Sequence, residues 1–166
     1  MTRAARGWDD VGRWSAARQL ASPNCDDRPA GEKVRLVVIH AISLPPGEFG
    51  GPGIVDLFTN RLDPEAHAYF RDIHHLRVSS HFLIRRQGEL LQFVPCTRRA
   101  WHAGVSHWMG RDRCNDFSIG IELEGSDDRR FEDAQYRTLN HLLAELRQQF
   151  PIEAVTGHSD IAPGRK

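Results

Sequence analysis

Val34-Arg35-Leu36-Val37-Val38-Ile39-His40 decides how this chain folds. Its β-branched residues suit a packed, pleated surface, and the apolar run is too short for a helix, so it reads as a buried strand. The strand delivers His40 to its end, where Leu44-Pro45-Pro46-Gly47 breaks regular structure. A Gly-rich stretch, Gly47 to Gly53, follows; it lacks the Gly-Lys-Ser/Thr ending of a phosphate-binding loop and reads as a surface loop. Ile54 to Asn60 suits a short helix, and Asp63 ahead of Pro64 suits the start of a second. Phe82–Arg86 and Leu90–Val94 flank Gln87-Gly88 as a hairpin, and Ser118 to Gly125 is another strand. Over Asp133 to Phe150, Tyr136, Leu139, Leu143, Leu146 and Phe150 recur at helical spacing before Pro151. Val155-Thr156 is a short strand leading to His158. The class is α/β (mixed α+β), a central mixed sheet flanked by helices. Residues 1–32, polar and turn-rich, read as a loosely ordered lead-in to a single domain over 33–166.

Lys plus Arg equals Asp plus Glu, 22 each in 166 residues, which excludes the overall positive charge of a dedicated nucleic-acid binder. At 40% hydrophobic residues the composition is that of a globular chain, and no apolar run is long enough to insert in a membrane. Trp8-Asp9-Asp10 stands where a secretory signal would need an apolar core. Cys25, Cys96 and Cys114 are odd in number and widely spaced, which suits reduced thiols in the cytoplasm.

Nine histidines direct attention to metal chemistry. His40 and His158 both sit at strand ends, where scaffolds hold functional groups. His102 and His107, in Trp101-His102-Ala103-Gly104-Val105-Ser106-His107, are rival ligands, whereas His74-His75 reads as a helix-end pair. In Ser118-Ile119-Gly120-Ile121-Glu122-Leu123-Glu124-Gly125 two glutamates alternate with aliphatics, so both share one face. That face is either a solvated acidic one or the seat of a general base, and periodicity does not choose between Glu122 and Glu124. Asp160 is a ligand candidate or a turn cap, and Arg165 and Lys166 are anion-stabilising or merely solvated.

Four stretches together resemble the AmpD type of N-acetylmuramoyl-L-alanine amidase: Val37 to Gly51 around His40, Arg99 to Ser106, Cys114 to Gly125, and Gly157 to Lys166. The likeness runs from about Ser22 to Lys166. It implies the fold of phage-type amidases and peptidoglycan recognition proteins, and a cytosolic zinc enzyme that recycles anhydro-muropeptides, with a bearing on β-lactamase induction. By position, His40 and His158 would be zinc ligands, Glu122 the general base and Lys166 the oxyanion stabiliser. Tyr69, Arg77 and Arg113 would meet substrate, the arginines through peptide-stem carboxylates. The resemblance places a third zinc ligand, an aspartate, two residues beyond Lys166. Ala41 stands where the family usually has asparagine, and Ser159 where cysteine is common. The expected partner is a muropeptide bound by a monomer, without nucleic acid or membrane. The alternative is a non-catalytic muropeptide-binding module with an incomplete metal site.

Overall fold

The computed structural model describes residues 7–164. In chain order, β1 (Arg18–Gln19) and β2 (Cys25–Asp27) precede β3 (Leu36–Ile42), the strand expected from the β-branched run. Two short helices follow, α1 (Gly53–Phe58) and α2 (Ala68–Ile73). The second begins later than Asp63 suggests. The Asp63 carboxylate accepts from the Glu65 amide in a turn, and His67 caps the helix by accepting from the Tyr69 amide. β4 (Phe82–Ile84) and β5 (Leu90–Gln92) form the expected hairpin, then come β6 (Arg98–Ala100), β7 (His107–Trp108) and β8 (Arg111–Asp112). A 3-10 turn at Cys114–Phe117 leads into β9 (Ser118–Glu124), followed by α3 (Asp133–Gln149), β10 (Ala154–Gly157) and α4 (His158–Ile161).

The main sheet has the order β1-β5-β4-β9-β3-β10. β9 lies at its centre, parallel to both β3 and β4, and β10 runs parallel to β3 at the edge. The β4–β5 pair is antiparallel, so the sheet is mixed. Strand alternation sends Val37, Ile119, Ile121 and Leu123 to one face, where they pack with Leu139, Leu142 and Leu146 of α3. The other face carries His40, Ser118, Gly120 and Glu122, beside a small core of Leu36, Val38, Ala103, Cys114, Phe117 and Ile161. On α3 the buried stripe includes Leu142, while Tyr136, expected to be on it, is 47% exposed.

Residues 7–32 are packed rather than loosely ordered. Trp8 and Trp14 stack with centroids 5.6 Å apart, and both are buried in the α3-side core. Arg28 donates to the carbonyls of Cys96, Asn115, Asp116 and Ser118 at 2.9–3.1 Å. Single large side chains anchor this segment, and such anchors leave no periodic signature in a polar, turn-rich stretch. No helix among the described residues is long and apolar enough to cross a membrane.

Candidate active site

The parallel register of three strands builds the site. His40 pairs with Glu122 across β3 and β9, and Gly157 pairs with Ile39, so His158 follows at the next level. A cavity of about 400 Å³ there is lined by His40, Ala41, Trp101, His102, Glu122 and His158, with Leu57, Phe58 and Val78 among its apolar walls.

His40 Nδ1 lies 2.8 Å from His158 Nδ1. On its far side, His40 Nε2 lies 2.9 Å from His102 Nδ1, whose Nε2 is 3.1 Å from the Ser118 hydroxyl. Burial, helped by the neighbouring His158, lowers the His40 pKa to about 3, and burial with adjacent imidazoles holds His102 well below the ordinary histidine value. Both rings are therefore neutral near pH 7, the form in which imidazole binds a metal. Glu122 is 8% exposed, and one carboxylate oxygen is buried with no hydrogen-bond partner among the described residues. Burial raises its pKa to about 8. Imidazole nitrogens of His40 and His158 meeting beside a buried Glu122 oxygen that has no partner among the described residues are a donor set that suits zinc. Among the described residues no third His, Cys, Asp or Glu joins them in a metal-holding group.

Residues 30–166 match the family model for N-acetylmuramoyl-L-alanine amidase. The chain belongs to the N-acetylmuramoyl-L-alanine amidase family. It is a hydrolase of the amide that joins N-acetylmuramic acid to L-alanine. The amidase is 57% identical over 159 residues to the 1,6-anhydro-N-acetylmuramyl-L-alanine amidase AmpD of Salmonella typhimurium, covering 95% of this chain and 85% of that protein. It is 58% identical over 152 residues to AmpD of Escherichia coli, covering 90% and 83%. A crystal structure of an AmpD selenomethionine derivative superposes with a TM-score of 0.92 at 57% identity, over 95% of this chain and 89% of that one. AmiD from E. coli, solved in complex with anhydro-N-acetylmuramic acid-L-Ala-D-gamma-Glu-L-Lys, gives a TM-score of 0.58 at 28% identity, over 88% of this chain and 52% of that one.

Other candidates in the amidase fall elsewhere. His107 is exposed and pairs with Asp112 at 2.8 Å across the β7–β8 hairpin. Asp160 accepts from the Gly157 amide at 2.8 Å, a cap at the start of α4. His74 closes α2, as its position suggested. Glu124 is engaged: its carboxylate accepts from Arg85 at 3.0 Å, from the Gly50 amide at 2.9 Å and from the Arg86 amide at 3.3 Å. Neither glutamate lies on a solvated face, because all seven residues of β9 are buried. The Gly-rich loop lies at the surface as expected and is tied down at two points, Gly50 to Glu124 and Phe49 under the Arg86 guanidinium at 4.6 Å. Tyr69 is exposed on α2, Arg77 donates to the carbonyls of His75 and Leu76, and Arg113 contacts Asp116 at 3.5 Å. None of these three lines the cavity. Lys166 and Arg165 lie outside the described residues. The feature that sequence reasoning missed is the engagement of His102 by His40, for which mid-strand Gly120 was the available signal.

Proposed function

We propose that this chain is a zinc-dependent amidase of anhydro-muropeptide recycling in the cytoplasm. It would split the bond between the lactyl carbonyl of anhydro-N-acetylmuramic acid and L-alanine. One observation carries the site assignment: a buried Glu122 oxygen without a partner among the described residues shares a cavity with the facing Nδ1 atoms of His40 and His158. His40 and His158 would hold the zinc, with a third ligand expected beyond Lys166. Bound there, zinc supplies a Lewis acid that polarises the scissile carbonyl and eases the ionisation of water.

Glu122 takes the proton from the attacking water. Its raised affinity for protons, from burial, suits a group that must accept one near neutral pH and then release it to the departing amine. Lys166 offers its ammonium to the negative charge that develops on the carbonyl oxygen. Leu57, Phe58, Val78 and Trp101 shield the cavity from bulk water and give the substrate an apolar wall. Tyr69 would pack against the substrate, while Arg77 and Arg113 would pair with its peptide carboxylates, which requires them to leave their present local contacts. The relatives named for the 1,6-anhydro substrate support this choice of muropeptide.

The test is Glu122→Gln, assayed with a defined anhydro-muropeptide. Loss of at least about 100-fold in kcat with unchanged zinc content is expected. Near-normal turnover would remove Glu122 from the chemistry. Chelation should abolish turnover and added zinc restore it.

A further inference from the structure

We propose that His102 is a positioning residue that fixes which nitrogen of His40 carries the proton. The proposal rests on the reading of His40 and His158 as metal ligands. His102 is not a third ligand, because both of its ring nitrogens are engaged, Nδ1 by His40 Nε2 at 2.9 Å and Nε2 by Ser118 Oγ at 3.1 Å.

These distances permit two proton orders. In one, the Ser118 hydroxyl donates to His102 Nε2, His102 Nδ1–H donates to His40 Nε2, and the remaining His40 proton sits on Nδ1. In the other, His40 Nε2–H donates to His102 Nδ1, and His102 Nε2–H donates to Ser118 Oγ. Only the second order frees the Nδ1 lone pair of His40, which faces His158 Nδ1 2.8 Å away. A ligand imidazole held by a fixed acceptor on its other nitrogen is both oriented and made more basic.

The surroundings hold His102 in this place. Its backbone amide and that of Ala103 both donate to Asn115 Oδ1, at 3.1 and 2.9 Å. The ring lies against Gly120, where an added Cβ would stand 2.5 Å from the His102 ring. A glycine in the middle of a fully buried strand is otherwise unfavourable, and here it opens the space that the imidazole fills. His81 packs behind, with ring centroids 6.0 Å apart. Its Nδ1 accepts from the Gly120 amide at 3.1 Å, so its Nε2–H donates to the Arg98 carbonyl at 2.8 Å. That proton arrangement leaves His81 no part in the Ser118–His102–His40 chain.

The experiment compares zinc affinity, by competition with a chromophoric chelator, in the wild type, His102→Phe, His102→Asn and His40→Ala. His102→Phe keeps a ring but removes the acceptor, and should weaken zinc binding about 10–100-fold. His102→Asn restores an acceptor near the Nδ1 position and should recover most of that loss. If His40→Ala abolishes zinc binding while His102→Phe binds like wild type, the positioning role is wrong and the ligand reading stands. If His40→Ala binds zinc normally, both fall. Should His102→Phe fail to fold, long-range proton–nitrogen NMR of the zinc-loaded wild type gives the same decision. Nε2–H forms of both His40 and His102 are expected, and an Nδ1–H form of His102 overturns the proposal.

Discussion

Two glutamates two residues apart in one strand have different surroundings, and the difference can be measured. Glu124 is 1% exposed and its carboxylate holds Arg85, the Gly50 amide and the Arg86 amide together. Removing it leaves the largely buried Arg85 guanidinium and two amides unanswered, so Glu124→Ala should cost about 3–5 kcal/mol, read by urea denaturation. Glu122 has an oxygen without a partner among the described residues, so Glu122→Gln should leave the denaturation midpoint unlowered while turnover collapses. Equal stability losses in the two variants would contradict this division. Alternation along β9 showed that the two acids share a face, and there its information ended. The choice depends on Arg85 and Gly50, which reach Glu124 through tertiary contacts that no local spacing encodes. Gly120→Ala belongs with them: its Cβ would collide with the His102 ring, so weaker zinc binding is expected along with lower stability, measured in the same chelator competition.

Among the elements, long periodic runs were legible and singly anchored segments were not. β3, the β4–β5 hairpin, β9, α3 and β10 all appear where patterning places them, with small shifts at their ends. In residues 7–32, Trp8, Trp14 and Arg28 pack one at a time, which leaves no periodic pattern to read. Arg28 is the clearest case: it reaches four carbonyls around the 3-10 turn and the start of β9, and burial lowers its pKa only to about 10, so it stays cationic. Arg28→Met should strip those carbonyls of a charged donor at a cost of about 3 kcal/mol. That corresponds to a fall of about 6–12 °C in Tm for a chain of this size, measured by calorimetry. A fall of under 2 °C would mean that water replaces the guanidinium without loss.

For the molecule as a whole, buried neutral histidine sets the response to acid. His81 is fully buried, and burial together with nearby Arg28 lowers its pKa to about 3 from the usual value of about 6.5. The unfolded chain takes up this proton as pH falls below about 6.5, while the folded one refuses it until about 3. Stability from this group is therefore complete above about 6.5 and is lost progressively on acidification towards 3, by up to about 1.4 kcal/mol per pH unit. In denaturant titrations between pH 6 and 4 on zinc-free protein, His81→Gln should show a shallower dependence than wild type; an unchanged slope would show that His81 is already protonated in the fold. Which histidines would meet was only partly legible, since His40 and His158 stand out as strand ends but their convergence comes from the parallel register of β3 and β10. That register also has a consequence during synthesis. His40 and Glu122 come from strands that can pair as soon as β9 is made, whereas His158 follows an edge strand translated after α3. A nascent chain on the ribosome can thus pair β3 with β9 before the second imidazole clears the exit tunnel, which makes the meeting of His40 and His158 one of the last events of its biogenesis.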